Sequence, residues 1–355
     1  MAEKINTIEN QFTIPSKWYF ENSYLEREKT EIFLKEWQLV GSRTQIRNPG
    51  EILLAEVADN PIIVICQKDN TLKAFYNVCQ HRGGPLAYEN CSVSKLQCKY
   101  HGWVYELNGD LKNARGFNKT ELNIEDFGLQ PIHVTEWMGQ VFVNLSNSPQ
   151  DLRQHIDEIK TLTSPIDFSD FVFKFRESYQ INCNWIVYMD NFLEGFHIPF
   201  VHDGLNKVLD YSNYKTELYE HCNLQIGFSD ESNEVFNFPK DHMDYGSNIA
   251  AYYFWVFPNM MFNFYPWGLS INIVKPLSIN KTKVSFLTYV YDESKLHKGA
   301  GNDIDKVERE DEFIVENVNN GIQSSFYKEG RYSPTREQGV HHFHCLLAQF
   351  LNSSK

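Results

Sequence analysis

The chain is short of cysteine, of long apolar runs and of positive charge, and each shortage removes a class of protein. Seven cysteines in 355 residues are odd in number and sparse, which argues against a disulfide framework and fits a reducing compartment. No stretch approaches the roughly 18 apolar residues of a membrane-spanning helix. The opening Met1-Ala2-Glu3-Lys4-Ile5-Asn6 lacks the apolar core of a signal peptide, so the expectation is a cytoplasmic protein with no membrane partner. With 33 basic against 46 acidic residues and a net charge of −13, the surface suits neither nucleic acid nor anionic lipid. Internal repeats and low-complexity segments are also missing. What is present is an apolar content of 42% over a length that accommodates two domains.

Two cysteine–histidine pairs stand out. Cys79-Gln80-His81-Arg82-Gly83 is followed, after the sixteen residues Arg82 to Gln97, by Cys98-Lys99-Tyr100-His101-Gly102-Trp103. Two thiolates and two imidazoles are the inventory of a binuclear iron–sulfur centre with mixed ligation. Imidazole in place of thiolate removes negative charge and raises the reduction potential to roughly −150 to +300 mV. A zinc site uses the same ligand types, but Cys79 and His81 are closer together than usual zinc spacing. Gly83, Gly84 and Gly102 let backbone pack against a cluster.

In chain order, residues 1–36 read as an irregular lead and a helix from Glu26 to Trp37. Short β runs follow at Gln38–Val40, Glu51–Val57, Ile62–Gln67 and Leu72–Val78, separated by Asn/Asp/Pro/Gly turns. Trp103–Leu107 and Leu111 read as a hairpin, and Gly139–Leu145 as a closing strand. A boundary falls near Ser146-Asn147-Ser148-Pro149, before a helix from Asp151 to about Leu162. The second half opens with a β run, Phe171–Tyr179. Helical periodicity then runs from Asn184 to His197, on Trp185, Met189, Phe192, Leu193 and Phe196. Strands dominate from Lys215 to Asp292, and a long helix spans about Asp303 to Tyr327. The fold class expected is α+β, with units at 1–36, 37–149 and 150–355.

On the helix after Asn184, Asp190, Glu194 and His197 fall at i, i+4 and i+7, on one face. His202 would lie about 140° from His197 on a continuous helix. Pro199 disfavours helix at Ile198, so the chain is expected to turn just past His197 and bring His202 back. The long helix carries an apolar stripe of Ile304, Val307, Ile314, Val315, Val318, Ile322 and Phe326, interrupted by Asp311. A carboxylate on a buried face is costly unless paired or metal-bound. Two histidines and a carboxylate make the facial triad of non-haem Fe(II) oxygenases. Glu310 and Glu312 lie off the stripe, and a tolerated Asp on a frayed first turn is the plainer alternative. Cys183 reads as a packed small hydrophobe. His341, His342 and His344 read as hydrogen-bonded or surface histidines. From Tyr252 to Trp267, nine of sixteen residues are aromatic. Most read as core, with two or three left to line a pocket where an ammonium group would meet ring faces.

These motifs resemble the α subunit of Rieske non-haem iron oxygenases over nearly the whole chain. Asn184-Trp185…Asp190-Asn191-Phe192-Leu193-Glu194-Gly195-Phe196-His197-Ile198-Pro199-Phe200-Val201-His202 and Glu310-Asp311…Gly339-Val340-His341-His342-Phe343-His344 look closest to the choline, carnitine and betaine monooxygenase branch. The resemblance implies a small antiparallel β Rieske domain and a catalytic domain whose antiparallel sheet grips a long C-terminal helix. It implies a [2Fe–2S] cluster on Cys79, His81, Cys98 and His101, and mononuclear iron on His197, His202 and Asp311. It implies a homotrimer without a β subunit, in which Glu194 bridges one chain's cluster to the next chain's iron; many relatives carry Asp there. Asp190 is the reserve bridge, and an intrachain salt bridge is the plainer role for Glu194. A separate flavin/iron–sulfur reductase fed by NAD(P)H would supply electrons, and O₂ would hydroxylate or N-demethylate a small ammonium substrate. The alternatives are an aromatic-ring-hydroxylating dioxygenase, an electron carrier without working mononuclear iron, and a zinc-stabilised binding protein.

Overall fold

The computed structural model describes residue 8 and residues 11–352, apart from 119, 165, 167–169, 230–234, 297, 302 and 303. It divides into two compact units, Lys29–Leu152 and Met1–Glu28 with Arg153–Lys355. The stretch expected as a separate leader is therefore shared between the two units. Its expected helix begins earlier and stops sooner, as an α-helix over Asn22–Glu28 and a π-helical turn over Lys29–Phe33.

The 29–152 unit is antiparallel β. Its strands are β1 (Gln38–Ser42), β2 (Glu51–Val57), β3 (Asn60–Cys66), β4 (Leu72–Tyr76), β5 (Cys91–Ser92), β6 (Leu96–Gln97), β7 (Val104–Tyr105), β8 (Leu111–Asn113), β9 (Pro131–Trp137) and β10 (Gln140–Asn144). Seven form one sheet in the order β1-β10-β9-β4-β3-β2-β5, and β6-β7-β8 form a small second sheet. Two tight hairpins use paired left-handed residues, Ala58-Asp59 between β2 and β3 and Met138-Gly139 between β9 and β10. That conformation matches the twist of the flanking strands. β3 is buried along almost its whole length, and Ile63, Ile65 and Phe75 pack against Cys79, Cys98 and Trp103. The motif loops thus rest on a solid core.

The other unit holds α1 (Lys17–Phe20), α2 (Asn22–Glu28), α3 (Arg153–Thr163), α4 (Trp185–Phe192), α5 (Ile198–Val201), α6 (Leu205–Val208), α7 (Ile304–Ile322) and α8 (Gln338–Asn352). Its sheet is built from β11 (Val172–Ile181), β12 (Lys215–Leu218), β13 (Cys222–Phe228), β14 (Ile249–Val256), β15 (Met260–Tyr265), β16 (Gly268–Ser278) and β17 (Lys281–Val290). β12 to β17 form a meander with β11 beside β17. Successive hairpins keep alternate residues on one face, so the register puts Gln225, Tyr253 and Asn263 side by side. α4 contacts both β16 and α7. The α+β expectation agrees with this architecture, which is antiparallel in both units.

Three expectations of the sequence reading differ from the structure here. The long helix is not the last, because the apolar α8 follows it. Asp303 lies outside the described residues, and α7 ends at Ile322, leaving Phe326 beyond it and 90% exposed. Val318, counted on the buried stripe, is 46% exposed while Val315 and Ile322 are buried.

Candidate metal centres

In the 29–152 unit, the two motif loops are built alike. The Cys79 amide donates to the Gly84 carbonyl at 2.8 Å and the Gly83 amide returns to the Cys79 carbonyl at 2.9 Å. The Cys98 amide donates to Trp103 at 2.9 Å and the Gly102 amide returns to Cys98 at 3.0 Å. Each returning glycine is left-handed, Gly83 at φ 71° and Gly102 at φ 76°, a conformation that L side chains adopt with strain. A Cβ on Gly84 would lie 2.9 Å from the Cys98 sulfur, so backbone approaches the thiol closely. The His81 and His101 rings meet edge to face with centroids 4.5 Å apart, and Trp103 stacks on His81 at 4.9 Å.

The donors fit a mixed-ligand cluster. Cys79 and Cys98 are buried, and burial pushes the Cys79 thiol above its ordinary value, so its thiolate calls for a metal's charge. The Tyr105 hydroxyl sits 3.3 Å from the Cys79 sulfur. His81 Nδ1 is shielded from solvent without a hydrogen-bond partner among the described residues, the condition of a nitrogen reserved for a metal.

In the other unit, the helix expected to run past His197 stops at Phe192, with Leu193 as its cap. Beyond it the chain passes Tyr214 so closely that a Cβ on Gly195 would lie 2.7 Å from its ring. Glu194 then turns back, and its Oε2 accepts the amides of Phe196 and His197. Pro199 begins the short α5 rather than ending a helix, because its missing N–H costs nothing in a first turn. Asp190 therefore does not share a face with Glu194 and His197. Its carboxylate accepts from Tyr19 at 2.8 Å and lies 2.8 Å from His344 Nε2.

His197, His202 and Asp311 offer ligand atoms all within 4.8 Å of one another, the one such group among the described residues. His197 Nε2 is 3.5 Å and His202 Nε2 3.1 Å from Asp311 Oδ1. First-row divalent ions such as zinc bind nitrogen and oxygen at about 2.0–2.2 Å, so two donors at right angles around one ion lie about 3 Å apart. The outer nitrogens are held as well. His197 Nδ1 is 2.7 Å from Glu194 Oε1 and His202 Nδ1 is 2.8 Å from Glu310 Oε2, which fixes both tautomers with Nε2 inward. The Asn191 amide donates to Asp311 Oδ1 at 2.7 Å. Burial alone would lower His202, but Asp311 and Glu310 raise it above its ordinary value.

A cavity of about 90 Å³ adjoins this group and is lined by Tyr188, Tyr214, Gln225, Tyr253, Asn263, Tyr265, Asn272, Glu308 and the three metal-binding candidates. Two of the nine aromatic residues noted in sequence, Tyr253 and Tyr265, line it; the rest of that stretch is core. Sequence reasoning gives no role to Glu310, Glu308 or Asn191: Glu310 lies off the apolar stripe, Asn191 stands in the quoted segment without one, and Glu308 carries no motif. A usable signal existed for Asn263, which interrupts the otherwise apolar or aromatic β15, and Asn272 shares its sheet face. The tail histidines are all buried, and His344 lies 2.6 Å from the Tyr332 hydroxyl. Cys183 is buried, which pushes its thiol up to about 12.

Comparison with known proteins finds a family model for each half of the chain. Residues 36–127 match the model for the Rieske [2Fe-2S] domain, and residues 168–353 that for the ring hydroxylating alpha subunit (catalytic domain). Choline monooxygenase of Arabidopsis thaliana is 31% identical over 96% of this chain and 83% of its own. The carnitine monooxygenase oxygenase subunit of Escherichia coli (strain K12) is 28% identical over 95% and 93%. A solved quaternary ammonium Rieske monooxygenase superposes with a TM-score of 0.81 at 25% identity, over 99% of this chain and 100% of that one. Naphthalene 1,2-dioxygenase from Rhodococcus sp. shares the fold with a TM-score of 0.76 at 15% identity.

Proposed function

Because the chain belongs to the Rieske ring-hydroxylating α-subunit family, and is thus a Rieske non-haem iron oxygenase, we propose that it hydroxylates or N-demethylates a small quaternary ammonium compound. The observation that carries this reading is the convergence of two imidazoles on Asp311 beside a tyrosine-lined cavity. The names of the relatives supply the substrate class. When bound, the cluster supplies single electrons and the mononuclear iron supplies O₂ activation. Overall, substrate C–H, O₂, two electrons and two protons become C–OH and water. A hydroxyl formed on a carbon attached to nitrogen collapses to formaldehyde and the demethylated amine.

In this reading Cys79 and Cys98 would hold one iron of the cluster and His81 and His101 the other. His197, His202 and Asp311 would hold the mononuclear iron, leaving positions open. Glu194 and Glu310 lock the imidazoles, and Asn191 orients Asp311. Residues 29–152 are the electron-accepting module and 153–355 the catalytic one.

A homotrimer, a separate flavin/iron–sulfur reductase fed by NAD(P)H, and a cytoplasmic setting complete the proposal. Rieske oxygenases generally take electrons from such a separate component. The trimer is supported by exposed aromatics beside both centres. Phe196 and Phe200 next to His197 are 44% and 82% exposed, and Tyr100 and Phe117 near His101 are 58% and 43% exposed; an interface covers such surface. Glu194, which meets the iron-ligand imidazole of His197, is the bridging acceptor in that trimer, whereas Asp190 meets Tyr19 and His344 and no candidate metal ligand. All seven cysteines are free, and among the described residues no helix is long and apolar enough to cross a membrane. The plant relatives, by contrast, are named as chloroplastic.

The test is substrate-dependent O₂ uptake by iron-replete protein with a surrogate reductase and NADH. Choline, carnitine and glycine betaine run against aromatic acids, with products identified by mass. An ammonium product gaining one oxygen or losing a methyl is expected. Turnover of an aromatic acid alone overturns the substrate class. A reducible cluster without mononuclear iron in the folded protein points to an electron carrier.

A further inference from the structure

Resting on that ammonium reading, we infer that the cavity selects a net cation without a carboxylate, a trimethylammonium alcohol rather than a zwitterion, and that Glu308 and Asn263 make the selection. Among the described residues that line the cavity there is no lysine or arginine, and the carboxylates are Glu194, Asp311 and Glu308. Glu194 and Asp311 are committed to the imidazoles. Glu308 faces no cation of that kind among the described residues; the Tyr188 hydroxyl donates to its Oε2 at 2.7 Å. A buried carboxylate without a cation is unfavourable, and burial, with the charge of Asp311 adding, pushes Glu308 up to about 8. A bound cation supplies the missing partner.

The surroundings suit an ammonium group that has no N–H to donate. Tyr188, Tyr214, Tyr253 and Tyr265 line the same cavity. Tyr253 and Tyr265 meet edge to face with centroids 5.9 Å apart, and Trp267 stacks on Tyr265 at 5.1 Å, so the lining is rich in ring surface of the kind that attracts a cation. Asn263 is buried, and its Oδ1 has no hydrogen-bond partner among the described residues. That leaves one fixed acceptor for a substrate hydroxyl. A substrate carboxylate would instead find no lysine or arginine among the described lining residues and would face the acceptor oxygen of Asn263, and a buried carboxylate left without a partner is costly. The volume holds on the order of half a dozen water-sized groups, the scale of a short alcohol.

Binding is measured by calorimetry on the holoenzyme, with choline, glycine betaine, carnitine and the uncharged isostere 3,3-dimethylbutan-1-ol. Wild type should bind choline at least ~10-fold tighter than either zwitterion and than the isostere. Glu308→Gln should weaken choline at least ~10-fold and move the isostere less than ~3-fold, with Glu308→Asp in between. Asn263→Leu should erase the preference for choline over ethyltrimethylammonium, which lacks the hydroxyl. Cluster absorption and iron content establish that each variant is folded. A zwitterion binding wild type as tightly as choline overturns the inference and leaves the ammonium reading standing, as does a Glu308→Gln effect equal on choline and isostere. If no ammonium compound binds and an aromatic acid does, both fall.

Discussion

At the scale of single residues, the second carboxylate behind each imidazole matters as much as the ligand itself. Glu310 Oε2 fixes the tautomer of His202 from 2.8 Å, and partners of this kind commonly account for 10–100-fold in metal affinity. Glu310→Ala should therefore lose mononuclear iron about 10–100-fold more readily under dialysis against a chelator, with the cluster spectrum unchanged. Glu310→Gln keeps an acceptor for Nδ1–H and should retain more iron than the alanine variant. Equal iron retention in all three proteins would show that Glu310 does not position His202.

At the scale of elements, the site depends on α4 ending where it does. Asn184 caps its start, accepting the Ile186 amide at 2.8 Å while its own amide donates to the Ile279 carbonyl at 3.0 Å. At the other end α8 packs so closely that a Cβ on Gly339 would lie 2.3 Å from the Leu193 carbonyl oxygen. The obstacle is backbone and cannot rotate away. Gly339→Ala should destabilise the protein by about 1–3 kcal/mol and disturb the turn carrying Glu194 and His197. Thermal denaturation and iron content check this, and an unchanged melting temperature would mean that α8 slides without cost.

At the scale of the whole molecule, one buried acid couples stability to pH. Glu28 is buried and accepts from the Trp185 indole at 2.7 Å, and burial pushes it up to about 7. The folded protein thus binds a proton that the unfolded chain releases at ordinary carboxylate pKa. Stability from this group is greatest below pH ~4.5 and falls as pH rises towards 7, with nothing further lost above that. Glu28→Gln should remove the decline and leave the variant more stable than wild type at pH 8 by roughly 3–4 kcal/mol, at about 1.4 kcal/mol per pKa unit. Melting temperatures of the two proteins across pH 5–8 test it, and parallel curves would sink it.

What the sequence alone determined is local or compositional. The α+β class, the family, the cluster and the mononuclear iron were legible from Cys-x-His, Cys-x-x-His, the His197/His202 segment and the polar break at Asp311. Spacing along a chain constrains ligand geometry, and a carboxylate on an apolar stripe demands a reason. Tertiary structure alone decided which groups meet across the chain. Glu310 reaches His202 over 108 residues and Asn191 reaches Asp311 over 120. α4 ends at Phe192, before Glu194 and His197, so Asp190 meets Tyr19 and His344 rather than the metal face. Glu308 joins Tyr188 in the cavity only because α7 lies against α4. No periodicity encodes such meetings, since they follow from packing between elements distant in sequence.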